Sequence, residues 1–197
     1  MQKIILATKS PYRREAFAFL GIDFEAMGSE VDESKIERKN PEELVKQLSK
    51  MKAEAVAKNY PDAIVIGMDS VGYFNGKIIE KPKSREEAFQ RLKNLSGNNG
   101  QFYTGIHIVN TGLNRTALRV VMTKAYLRVL SDNEINKYLD EDAYYNTYAL
   151  GFDPLGHLSS SFIQKIDGSY NNILRGIPLE VIPEMLDEAG YKNSRIN

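Results

Sequence analysis

The sequence predicts an α/β fold in which helices flank a mixed sheet, and three features carry that reading. Two short unbroken apolar runs, Ile4 to Ala7 and Ala63 to Gly67, have the pattern of parallel strands buried on both faces. Segments with helical periodicity and cap residues at their starts lie between and after them. Two longer strand-like stretches, Gln101 to Val109 and Arg115 to Leu130, follow one another across Thr111-Gly112-Leu113-Asn114 and suit an antiparallel extension of the sheet. With no repeat, low-complexity stretch or linker, residues 1–197 read as one domain.

Taken in order, the first strand stops at Thr8-Lys9-Ser10-Pro11, where Ser10 is an N-cap and Pro11 sits at the first helical position; Ala16, Phe17 and Leu20 give that helix one apolar face. Asp23 to Ile36 reads as a strand and an acidic loop. Asn40-Pro41-Glu42-Glu43 opens a second helix whose expected buried seam, Leu44, Leu48, Met51 and Ala55, puts Lys52 beside it. The run Ala63 to Gly67 then places Asp69 at the carboxyl end of a central strand, where open α/β sheets bind ligands. Asn75-Gly76 predicts a hairpin between Val71 and Ile79 that returns Glu80-Lys81-Pro82 to the same end. Ser84 to Glu87 and Ser131 to Glu134 are capping-box patterns opening two helices, the first ending at Gly97. Ala149 to Gly156 is a loop, Phe162 to Ile166 a strand before a turn at Asp167-Gly168, and Pro178 to Ala189 a last helix stopped by Gly190.

Composition limits the function. The 26 basic and 26 acidic residues cancel, so nothing in bulk charge points to a nucleic-acid polymer or an anionic membrane, and any bound anion needs a local cluster of cations. Cysteine is absent, which excludes disulfides, zinc-thiolate sites and thiol catalysis. No stretch approaches the roughly 18 apolar residues of a membrane span, and the start of the chain lacks a cleavable leader pattern, so the cytoplasm is the default expectation.

One local conflict points to a ligand. A helix N-terminus carries partial positive charge and favours acids, yet Arg13 and Arg14 occupy the first turn here, beside Lys9 and the hydroxyls of Thr8 and Ser10. An anion resolves this, and a strand leading into a helix N-terminus with added cations describes a phosphate site. The topology brings Ser10, Arg13, Arg14, Lys52 and Lys81 to one cleft with Glu33 and Asp69, a set suited to a polyphosphate and a divalent metal. Each residue also has a plainer reading: solvated arginines, a lysine on an exposed helix face, a solvated acidic loop around Glu33, a turn lysine before proline. Asp69 resists the plain reading most, because an acid ending a buried apolar strand needs a cap, partner or ligand. His107 and His157 read as structural, and the tyrosines as packing rather than base stacking.

The segments ILATKSPYRREAF, VIGMDSVGYFNGKIIEKP, LSGNNGQFYTGIHIV and IDGSYNNILRGIPL resemble, in order and over nearly the whole chain, the motifs of the Maf family. That resemblance implies the elongated mixed α/β fold of the inosine triphosphate pyrophosphatases, two lobes with a central cleft, and hydrolysis of a nucleoside triphosphate to the monophosphate and pyrophosphate with Mg²⁺ or Mn²⁺. It also implies a role in cleansing the nucleotide pool and an association with arrest of septum formation. By matching motif, Ser10, Arg13 and Arg14 would hold phosphate, Lys52 and Lys81 the triphosphate, Glu33 would help position the metal, and Asp69 would take the proton of the attacking water. Against the dTTP/UTP-hydrolysing branch, with its SPRR, ADT and AGAYGIQG segments, three positions depart and bear on base choice: Tyr12, Ser70 and Leu155. The histidine usual after LSG is missing, and GFDPLG at 151–156 is similar to a base-contacting loop of the inosine triphosphatases. The expectation is thus a nucleoside triphosphate pyrophosphatase of open base preference, with a purine-directed inosine/xanthosine triphosphatase and a nucleotide-binding regulator of cell division as alternatives; a homodimer through the long strands is compatible but not required.

Overall fold

The computed structural model describes residues 2–192. One seven-stranded sheet runs through it: β1 (Lys3–Ala7), β2 (Glu25–Ala26), β3 (Ala63–Phe74), β4 (Lys77–Ile79), β5 (Asn99–Asn110), β6 (Arg115–Leu127) and β7 (Ile163–Asp167). Its order is β2-β1-β3-β5-β6-β7, with β4 also pairing β3; β1 lies parallel to β2 and β3, and every other pairing is antiparallel. The mixed α/β architecture is as the sequence predicts. Among the described residues six α-helices flank it: α1 (Pro11–Ala18), α2 (Pro41–Ala57), α3 (Arg85–Leu95), α4 (Asp132–Glu141), α5 (Tyr170–Arg175) and α6 (Ile182–Glu188). Among the described residues no helix is long and apolar enough to cross a membrane.

The long strands β3, β5 and β6 carry two apolar cores on one face. Ile64, Ile66 and Met68 with Ile106 and Ile108 pack under α1 and α6, while Phe102, Ala125 and Leu127 pack under α3, α4 and the 149–162 segment. Between them the same face turns polar, at Ser70, Thr104 and Thr123. The opposite face lies under α2, which is seated on glycines: a Cβ at Gly67 would collide with the Ser49 carbonyl and the Ala53 nitrogen, and one at Gly105 with the Val45 carbonyl. Close approach selects small residues, so the buried stripe runs Leu44, Val45, Leu48, Ser49, Ala53 and Val56, and the expected Met51 and Ala55 are only half-buried.

Several local expectations need correcting. β3 does not end at Asp69 but continues to Phe74; what ends is its neighbour β1, whose last pair is Ala7 with Gly67. The next partner on that side, β4, begins only at Gly72, so Met68 to Val71 form an unpaired stretch of sheet edge. At α3, Ser84 caps the Glu87 nitrogen, but the Glu87 carboxylate takes the Lys83 amide instead of closing the box, whereas the Ser131–Glu134 box is complete. The strand expected within Asp23 to Ile36 shrinks to Glu25–Ala26, followed by a 3-10 turn at Glu33–Lys35. Helix α5 has no counterpart in the sequence reading. Its signals are present but compressed: an N-cap at Ser169, a left-handed Gly176 after the last turn, and Pro178 beyond.

Candidate active site

A cavity of about 280 Å³ opens at the bare edge of β3, between the two apolar cores. Because successive strand residues face opposite sides, the edge presents Asp69 towards α2 and Ser70 towards α1. Ser10 caps α1 by accepting the Arg13 amide, and the helix start delivers Thr8, Lys9, Ser10, Tyr12 and Arg13 to one wall. Lys81, returned by the hairpin, lines it as well.

Arg13 is the most constrained of these groups. Its Nε donates to the Gly176 carbonyl at 2.9 Å, Nη1 to the Met68 carbonyl at 2.9 Å and Nη2 to Ser70 Oγ at 2.6 Å. It therefore caps a backbone carbonyl of the bare edge and ties α1 to the end of α5. Burial pulls its pKa below the usual arginine value, with Asp69 opposing, and leaves it a cation. Arg14, one residue and about 100° further round the helix, is exposed and outside the cavity.

Asp69 is 9% exposed. Lys52 Nζ lies 2.5 Å from its Oδ1 and 2.9 Å from Glu33 Oε1, so one ammonium joins two carboxylates from β3 and the 33–35 turn. Burial pushes the Asp69 carboxyl up, and Lys52 and Arg13 pull it back. Counting the lining residues, Lys9, Arg13, Lys52, Lys81 and Arg175 face a single carboxylate, Asp69, so a chain of zero net charge carries a strongly positive hollow.

The far end of the cavity is apolar, lined by Phe102, Leu150, Phe152, Pro154 and Ile173. Tyr12 closes one side: its hydroxyl donates to Tyr148 Oη at 2.9 Å, the rings lie 5.3 Å apart, and the Arg175 guanidinium sits 6.0 Å above the Tyr12 ring. Leu155 does not line the cavity. Its amide donates to Asp153 Oδ1, and this turn leaves its side chain 41% exposed, while Phe152 and Pro154 of the same loop face the hollow.

The structure thus brings together Ser10, Tyr12, Arg13, Lys52, Asp69, Ser70 and Lys81, with Glu33 reached through Lys52, and leaves Arg14 and Leu155 aside. Sequence reasoning missed Tyr148, Arg175, Thr104 and Asn172. The sequence reading takes Tyr148 with the other tyrosines as packing and assigns no element to the segment that carries Arg175, while Thr104 and Asn172 announce themselves only through burial. His107 is buried and outside the cavity lining, and neither ring nitrogen has a hydrogen-bond partner.

The donor set fits a divalent cation shared with a substrate. Glu33 and Asp69 supply oxygens that already meet on one ammonium, and Mg²⁺ takes one or two carboxylates and completes its shell with phosphate oxygens and water. Among the described residues no cluster of three or more His, Cys, Asp or Glu forms an all-protein cage.

The chain is 37% identical over 188 residues to a 7-methyl-GTP pyrophosphatase of Nitrosococcus oceani, covering 95% of this chain and 94% of the relative. It is 40% identical over 186 residues to a dTTP/UTP pyrophosphatase of Thermoanaerobacter sp. strain X514, covering 93% and 95%. The solved structure of a HAM1 protein from Coxiella burnetii aligns over 96% of this chain and all of its own, with a TM-score of 0.52 at 15% identity, which supports the fold alone. The model of the Maf-like proteins matches residues 3–189, and the chain belongs to that family.

Proposed function

We propose that this protein is a nucleoside triphosphate pyrophosphatase that removes unwanted nucleotides from the cytoplasmic pool. The observation that carries the reading is the two-ended cavity: cations and one buried carboxylate at one end, an aromatic and apolar lining at the other. Three linked phosphoryl groups match the first end and a nucleobase the second. Arg13, Lys52 and Lys81 hold phosphate oxygens and neutralise charge that grows as the anhydride breaks. Asp69, held by Lys52, accepts a proton from water as the water oxygen bonds to the α-phosphorus and the bridging P–O bond breaks, leaving nucleoside monophosphate and pyrophosphate. Glu33 and Asp69 would hold Mg²⁺ or Mn²⁺, which supplies Lewis-acid polarisation of the phosphoryl oxygens when bound.

The relatives' names span pyrimidine and methylated-purine substrates. Phe102 and Phe152 at the apolar end favour a broad flat base.

The test is pyrophosphate release from 7-methyl-GTP, ITP, XTP, dTTP and UTP, each with Mg²⁺, with Mn²⁺ and with excess chelator. Metal-dependent release of pyrophosphate from at least one is expected, and chelator should abolish it. Release of orthophosphate instead, or nucleotide binding with no turnover under any condition, would reject the pyrophosphatase reading, the second result favouring a nucleotide-binding regulator.

A further inference from the structure

Behind Arg13 lies a buried chain of hydrogen bonds whose direction can be worked out from its far end. Asn172, the third residue of α5, is fully buried and reaches the Val121 carbonyl at 3.2 Å and Thr123 Oγ1 at 3.2 Å through Nδ2. A carbonyl only accepts, so the amide NH₂ must face that way and the Asn172 oxygen must face Thr104. Thr104 Oγ1, also fully buried, lies 2.6 Å from that oxygen and must donate to it. A hydroxyl has one proton. Thr104 has therefore nothing left to give Ser70, and the 2.6 Å contact between the two hydroxyls is a donation from Ser70 to Thr104. The Ser70 proton is then committed as well, and its oxygen meets Arg13 Nη2 as an acceptor.

From this we infer that Thr104 and Asn172 are positioning residues for the reaction: through Ser70 they hold the Arg13 guanidinium in place and leave Ser70 unable to donate to a substrate. The inference rests on the reading of Arg13 as a phosphate-binding group. Ser70 accordingly acts through Arg13 rather than as a polar contact to the base. The chain links β3, β5, β6 and α5, the strands and helix on either side of the cleft, and its bonds all run from Arg13 towards Asn172, so each polarises the next. The Ser169 side chain caps α5 by accepting the Asn172 amide, and the Ser169 amide donates to Thr123 Oγ1, which ties the helix carrying Asn172 to the same point.

Thr104→Val removes the hydroxyl at nearly constant shape, and Thr104→Ser keeps it. Two readouts are needed: kcat and KM for the best nucleotide, and the ¹⁵N resonance of the Arg13 Nε–H in the substrate-free protein. Thr104→Val should lower kcat/KM about two- to ten-fold, the scale of one hydrogen bond between neutral groups, and broaden or shift the Arg13 resonance. Thr104→Ser should restore both. In an Arg13→Lys background the Thr104→Val loss should largely vanish, since the effect passes through the guanidinium. An unchanged Arg13 resonance in Thr104→Val, or equal losses in both backgrounds, would overturn the inference while leaving the pyrophosphatase reading intact. If the wild type hydrolyses no nucleotide, that reading fails and the Arg13 resonance alone decides whether the chain holds the guanidinium.

Discussion

Asp69 shows how much a single neighbour decides. Its carboxylate is almost fully buried, and the Lys52 ammonium both compensates it and links it to Glu33. Replacing Lys52 with Met should therefore lower stability by about 1–3 kcal/mol, the cost of a buried polar group left without its partner, and should abolish most turnover; urea unfolding and the pyrophosphate assay measure the two effects. His107 presents the opposite case, a titratable group buried with no partner. Burial holds its pKa below the usual histidine value, with Glu54 opposing and Lys50 assisting. A base with a depressed folded pKa binds its proton first in the unfolded chain, so stability should decline as pH falls through about 6.5 and level off once the folded form is also protonated. His107→Leu should remove that part of the decline. Equal slopes of unfolding free energy against pH for the two proteins between pH 7 and 5 would contradict it.

At the scale of elements, α2 and the α1 start carry the argument. The α2 helix matters because Lys52 rides on it, and its height above the sheet is set by Gly67 and Gly105. Gly67→Ala should force the helix outward, costing about 1–3 kcal/mol by overpacking and weakening catalysis by moving Lys52 away from Asp69. Chemical denaturation together with kcat tests both, and an unaltered midpoint would mean the helix accommodates the methyl without moving. The α1 start was legible because its signals are local: Ser10 as cap, Pro11 at the first turn and an arginine where an acid is favoured. Leu44 and Leu48 of the α2 stripe were legible too, but its Ser49, Ala53 and Val56 were not, because the sequence pattern ranks residues by apolarity while the contact is governed by how closely two backbones approach. Helix α5 escaped for a related reason, being a six-residue element fixed mainly by its tertiary partners.

Across the whole molecule, two cores share one sheet and meet at a polar belt, and the cavity lies where they part. Tyr12 and Tyr148 join the two sides across its mouth. Tyr12→Phe should free that contact at a cost of about 0.5–1.5 kcal/mol and raise KM. Amide exchange should quicken in residues 145–156 while the amides of β3 and β5 stay protected. Uniform acceleration across the sheet would instead assign Tyr12 to global stability. The alternation of charge at this scale also explains why composition gave no hint of an anion site. Five cations converge on the hollow against one acid, Asp69, and only folding sorts them.

By itself the sequence determined most of the element types, the mixed sheet, the family motifs and most of the cation set, since periodicity, caps and short-range spacing are properties of neighbouring residues. Tertiary structure alone decided that β1 stops where β3 continues, that the resulting bare edge offers Asp69 and Ser70 to opposite sides, and that Arg13 enters the cavity while Arg14 does not. Those outcomes depend on which strand ends beside which and on which polar groups lose access to water, and no window along the chain contains both partners.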